Sequence, residues 1–343
     1  MTHSVPSPPE PPTPPTPSGR WRSLARLGLG LAIFAGLVWA LGASLGELRT
    51  AADPDPRGFL WSLAGMGFAA LAAGARWKWI VEQMGGTRLR FGAYVHALVL
   101  TRLVGSFTSA LAVDLVGRGL ALQRAGSERS VGHTTAGVIV ERIHDMVLPA
   151  CLLPWALWAH DRPEVLALAL LGFHAVATFG HAPLARLGVR AYEALRNRRR
   201  GGAPASDDAA SRPAAPAALY ETRTGALVAL MSLGRYLGIS VHVYGTSVAV
   251  GLGLEALETV AVSPPAQLSV LLGVTPGALG IQEIGWAAGL AWLGYGATAI
   301  TLFMLAQRAL YIVSFATLSA LSWPWRRGAH GESPASAPSD DQR

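Results

Sequence analysis

Glu141, Arg142, His144 and Asp145 stand in the middle of an apolar, helix-forming run, Val138 to Val147. Ionisable groups at bilayer depth are costly, so they are kept facing a protein interior or a wet cavity, where they pair or bind. Glu141 and Asp145 are four apart and share a helix face, while Arg142, three before Asp145, reaches it as an ion pair. Two carboxylates and one guanidinium leave that helix net negative, and Arg118, at the end of the preceding interrupted segment, is its natural neutraliser. Two readings stand side by side. The four residues form a buried network that pins helices together, or Arg118 and Arg142 line a cavity for an anionic headgroup, because guanidinium forks bind phosphate bidentately.

A second constellation is Gly273-Val-Thr-Pro-Gly-Ala-Leu-Gly-Ile-Gln-Glu283. Gly277 and Gly280 permit the chain to break, and a helix starting near Ile281 then points backbone N–H groups at a ligand, a plausible anion seat. Glu283, in the first turn, caps that helix, and the apolar residues after it embed the carboxylate as well. His174 and His181, seven apart, share a face but have no third ligand at fitting spacing. Hydrogen bonds to neighbours are therefore expected of them rather than a metal or haem, and no cofactor is expected. His-Glu-x-x-His, Gly-x-Ser-x-Gly and phosphate-loop patterns are all missing, so the sequence does not read as that of an enzyme. Cys151, the lone cysteine, reads as a packing residue.

The elements that must hold these residues are membrane helices. Of 343 residues 51% are hydrophobic and only 14% charged, with a mean hydropathy of +0.35, which fits an all-α polytopic bundle and not a soluble domain. Apolar windows of bilayer length fall at about 24–42, 58–80, 131–159, 165–183, 225–251 and 297–323; the first, behind a Pro-rich tract and without a clear cleavage site, reads as a retained anchor. Two more, 93–115 and 261–294, are interrupted by Gly, Pro or charge. The expected architecture is thus six full spans with two re-entrant segments, an arrangement compatible with an inverted repeat, and eight full spans is the alternative. The net charge of +7 is carried almost wholly by arginine in short flanks, Lys78 being the only lysine. Six spans put Arg20 to Arg26, Arg88, Arg90, Arg186 to Arg200 and Arg326-Arg327 on one side, which makes both termini cytoplasmic. No basic face tracks a phosphate backbone, so a nucleic-acid partner is disfavoured. Trp77, Trp79, Trp155, Trp158, Trp323 and Trp325 lie at span ends, as headgroup anchors do. Residues 1–19, with eight prolines, and 326–343 read as disordered tails around a membrane domain at 20–325, whose halves are joined by a linker at 197–218.

Asp114-Leu-Val-Gly-Arg118, Val140-Glu-Arg-Ile-His-Asp145 and Pro276-Gly-Ala-Leu-Gly-Ile-Gln-Glu283 resemble, in this order, three motifs of the lysylphosphatidylglycerol synthase transmembrane regions, or flippase-like domain proteins. Their usual forms are Gly-Glu-x-x-Arg, Glu-Arg-x-x-Asp and Pro-Gly-Gly-x-Gly-x-Arg-Glu, and the resemblance covers about residues 24–325. Asp114 stands for the usual glutamate, Ala278 for the second glycine and Gln282 for the arginine, which removes a cation from the broken helix. The resemblance implies a multi-pass protein of the cell membrane that moves anionic or aminoacylated phospholipids, or polyprenyl-phosphate lipids, between leaflets. Its motifs place the substrate site at Asp114, Arg118, Glu141, Arg142, Asp145, Gly277, Gly280 and Glu283. In fused relatives a soluble domain makes the aminoacyl lipid, and nothing in this chain resembles it. An accessory protein that binds lipids or a partner enzyme of lipid biosynthesis is the alternative, followed by an intramembrane lipid transferase using Glu141 or Asp145 as base. The sequence does not fix the oligomeric state.

Overall fold

The computed structural model describes residues 17–42, 55–85, 89–108, 110–127, 130–199, 217–270 and 275–326, and every regular element among them is helical. The two tails and the linker fall outside these residues except at their margins. There Pro17 opens the first helix, α1 (Pro17–Leu41), and 197–199 and 217–218 belong to helical turns.

The chain continues as α2 (Pro56–Gln83), α3 (Phe91–Phe107), a π turn (Val113–Gly117) running into α4 (Arg118–Arg124), and α5 (Val131–Trp158). Next come α6 (Pro163–Phe179) and α7 (His181–Arg199), then α8 (Thr222–Ala249), α9 (Ala256–Ala261) and α10 (Ser263–Ser269). A one-turn 3-10 element (Pro276–Ala278) precedes α11 (Ile281–Trp292), and α12 (Ala297–Leu321) closes the bundle. Local chemistry sets the starts. Asp55 accepts the Arg57 N–H at 2.8 Å ahead of Pro56, and Ser130 accepts that of His133 at 3.3 Å. Glu283 reaches back to the Gly280 N–H at 2.7 Å.

The two halves repeat. α2 and α8 are both 28 residues long and begin 166 residues apart, as do α5 and α12. Between them each half has a broken segment. α2 and α8 lie antiparallel along a seam of small residues: a methyl group added at Gly58 would meet the Ala249 nitrogen at 2.3 Å, and one at Gly65 would meet that of His242 at 2.4 Å. Lipid offers no hydrophobic drive between helices, so close backbone approach through small residues is what holds such a pair. The outer limbs exchange partners, α3 packing on α12 and α10 on α5. Antiparallel pairing of equivalent helices is the geometry of an inverted repeat.

By length and apolarity α2, α8 and α12 qualify as spans among the described residues, and α6 with α7, bent by 62°, makes a fourth if the pair is one span. This is fewer than the six read from the sequence. α5 has the length, at about 42 Å for 28 residues, but its charged centre breaks the apolar run, and the apolar part of α1 is short, Gly28–Leu41. The aromatic anchors also divide. Trp77 and Trp155 are core residues, Trp77 edge-on to Tyr94 and Trp155 donating to the Arg162 carbonyl, whereas Trp158, Trp323 and Trp325 are exposed.

Candidate functional site

The π turn supplies the first part of the site. It carries Asp114 one wide turn before Arg118, whose Nε lies 3.2 Å from Asp114 Oδ1. Arg118 Nη1 donates to Glu141 Oε2 at 2.6 Å, and its guanidinium stacks 5.1 Å from the Trp77 ring centroid. From α2, Arg76 donates through Nη2 to Glu141 Oε1 at 2.9 Å and Asp145 Oδ1 at 2.5 Å, and through Nη1 to Ser232 of α8 at 2.8 Å. Arg142 bonds Asp114 Oδ2 and also reaches Asp145 Oδ2 at 3.2 Å. Arg102 stands 3.4 Å from Asp114, and Arg235 of α8 the same distance from Asp145. The lattice therefore ties α2, α3, α4, α5 and α8 into one unit.

Exposure separates two layers of this lattice. The side chains of Arg76, Arg118 and Glu141 are 0% exposed, while those of Arg102, Arg142 and Arg235 are 16–19% exposed. The three half-open arginines, with Asp114 and Asp145, line a cavity of about 130 Å³. The rest of its lining is largely apolar with neutral polar groups among it, and it includes Gly105, Ser106, Ala110, Gly277 and Ala278, where the broken segments of the two halves meet. There the Gly277 N–H donates to the Thr108 carbonyl at 2.9 Å, with Gly277 at φ 57° and Ala278, exceptionally for a residue with a side chain, at φ 55°. Arg308 donates to the Gly277 carbonyl at 3.0 Å and lies 3.7 Å from Glu283.

Of the residues singled out in the sequence, Asp114, Arg118, Glu141, Arg142 and Asp145 converge in this lattice, and Gly277 reaches the cavity from the other half. Arg118 and Glu141 stand behind the cavity wall and do not line it. Glu283 and Gly280 form a cap beside it: the Glu283 carboxylate is committed to the Gly280 N–H, and α11 begins with that donor occupied. His181 pairs with His144 through Nδ1 and Nε2 at 2.9 Å and donates from its own Nε2 to the Leu219 carbonyl. Sequence reasoning missed Arg76, Arg102, Arg235 and Arg308. Each is a cation set among apolar or small residues, the same signal that marks Glu141 and Asp145, but a single cation in such a window reads as a flank.

Five guanidinium groups, of Arg76, Arg102, Arg118, Arg142 and Arg235, stand against the carboxylates of Asp114, Glu141 and Asp145, an excess of two positive charges. Buried cations without counter-charge are costly, and one of the two excess charges falls in the layer that lines the cavity, where three arginines face Asp114 and Asp145. The arrangement is suited to receiving an anion on arginine forks. No curated protein matches the chain. The family description "Lysylphosphatidylglycerol synthase TM region" matches residues 27–319, most of the sequence. The chain thus belongs to the lysylphosphatidylglycerol synthase TM region family, and is a membrane protein of lipid-related function.

Proposed function

We propose that the protein translocates a lipid with an anionic phosphate headgroup between the leaflets of the cell membrane, without chemistry on it. The observation that carries this reading is a lattice with an excess of two guanidinium charges, three of its arginines lining a cavity at the meeting point of two broken segments. Arg102, Arg142 and Arg235 receive the phosphate. Arg76, Arg118 and Glu141 hold them in place from behind, and Asp114 and Asp145 orient the forks. The broken segments, which meet through the Gly277 N–H on the Thr108 carbonyl with Arg308 bracing the second, supply the part that moves, since irregular backbone at membrane depth is tolerated where it lines a cavity. Both termini stand on the cytoplasmic side in this reading, following the arginine flanks.

The test is reconstitution into vesicles holding a trace of acyl-labelled phosphatidylglycerol, with an impermeant reductant bleaching the outer leaflet. Bleaching should pass beyond the outer half in vesicles with protein, slow in Arg235→Gln, and leave the recovered lipid unaltered by mass spectrometry. Bleaching that stops at one half, as in protein-free vesicles, would sink the transport reading. A chemically altered lipid would point to a transferase instead.

A further inference from the structure

The cavity has a second wall that its arginines do not explain. It consists of His242, Gln267, Gln282, Gln307 and Tyr311, all neutral and polar. His242 is fully buried, its Nδ1 lies 2.7 Å from Ser62 Oγ, and its Nε2 has no partner. The Nε2 amide nitrogen of Gln267 is likewise buried without a partner. Gln307 accepts the Thr246 hydroxyl at 2.8 Å, which commits its oxygen and leaves its amide nitrogen as a donor. Buried polar groups without a partner are costly, and two that line one cavity mark a place that a ligand completes.

We infer that this wall receives hydroxyl groups: the ligand is a phosphodiester whose headgroup bears neutral hydroxyls, as glycerol or a sugar does, and is not an aminoacyl ammonium. The inference rests on the anionic-lipid reading above and narrows it. A hydroxyl both donates and accepts, so it satisfies His242 Nε2 in either tautomer and offers an acceptor to the glutamine nitrogens. An ammonium only donates, so it offers no acceptor to those nitrogens, and its charge is best met by a carboxylate. Each carboxylate of the lattice is already shared, Asp114 among Arg102, Arg118 and Arg142, Asp145 among Arg76, Arg142 and Arg235, and Glu141 between Arg76 and Arg118. A cationic headgroup would add charge to a site that already has an excess of it. The arginines and the neutral polar groups line one small cavity, within the span of a single phosphoglycerol or phosphosugar group.

The test is calorimetric titration of the full chain in detergent with four probes: short-chain phosphatidylglycerol, phosphatidylmethanol of the same charge but without hydroxyls, lysylphosphatidylglycerol, and free glycerol phosphate. Phosphatidylglycerol should bind at least about tenfold more tightly than phosphatidylmethanol, the scale of one or two buried hydrogen bonds. Lysylphosphatidylglycerol should bind no better than phosphatidylmethanol. His242→Ala and Gln267→Leu should each bring phosphatidylglycerol toward the affinity of phosphatidylmethanol. Should His242→Ala not fold, Gln267→Leu decides, because its amide nitrogen bonds nothing in the protein. Equal affinity for phosphatidylglycerol and phosphatidylmethanol, or tighter binding of the lysylated lipid, overturns the hydroxyl wall while leaving the anion site standing. Free glycerol phosphate binding as tightly as the lipid overturns the assignment to a lipid headgroup. No binding by either anionic lipid overturns the anion reading itself.

Discussion

Arg142 and Arg308 are equivalent residues of the two halves. Each stands eleven residues into the closing helix of its half, α5 from Val131 or α12 from Ala297. Each also pairs with a carboxylate just past its own break, Asp114 for Arg142 and Glu283 for Arg308. The halves have kept the pairing and divided its use. Arg142 belongs to the charged lattice on the cavity, whereas Arg308 fixes the second break through the Gly277 carbonyl. Arg308→Ala should therefore loosen that break, and its effect should overlap with that of Glu283→Gln. In thermal unfolding of the solubilised protein, the double variant should fall short of the sum of the singles by about 1 kcal/mol. Strict additivity would show that the two side chains act apart.

Arg76 is the structural keystone of the lattice and not a ligand group. It is wholly buried and serves Glu141, Asp145 and Ser232 at once. Removing one partner of a buried ion pair strands charge in a low dielectric at a cost of about 3–5 kcal/mol. Arg76→Met should lower the unfolding temperature accordingly or prevent folding. Stability within about 0.5 kcal/mol of the parent would show that the pairs contribute little.

The site was legible in the sequence where charge was dense, and illegible where it was sparse. Glu141 and Asp145 announce themselves because an apolar helix has no surface reason to hold two carboxylates four residues apart. Arg76 is set beside Trp77, Lys78 and Trp79, which together look like the end of a span. Only tertiary packing shows that α2 runs on to Gln83 and turns Arg76 and Trp77 inward. Arg102 and Arg235 were invisible for a related reason: their partners are more than ten residues away in sequence, and no local spacing links them. The cap at Glu283, by contrast, follows from a three-residue spacing and was readable directly. The repeat was legible only as two interrupted windows, because equivalent positions such as Arg76 and His242 share place and not residue type.

The antiparallel seam of α2 and α8 sets a steric test. A side chain at Gly65 would enter the backbone of His242, and one at Gly245 the backbone of Ser62 at 2.3 Å. Gly65→Val should cost several kcal/mol, beyond the about 1–3 kcal/mol usual for overpacking, because backbone and not a flexible side chain must move. Gly172→Val, on α6 with nothing within 4 Å of the added atom, is the matched control and should change the unfolding temperature little. Equal tolerance at both sites would refute the close approach of the two helices.

The charge excess predicts effects of opposite sign, which a purely structural network does not. Arg235→Gln removes one of the two unbalanced cations and should weaken phosphatidylglycerol binding about tenfold, the scale of a lost charge-assisted contact. Asp114→Asn takes away a carboxylate shared by Arg102, Arg118 and Arg142, so the excess rises to three. Where that variant folds, it should bind the anion more tightly than the parent even as its thermal stability falls. The cavity lies within the bundle, so added salt should screen these differences less than it would at a surface. If the lattice only holds helices together, both substitutions lower stability and neither moves affinity upward, and tighter binding by a less stable protein separates the two roles.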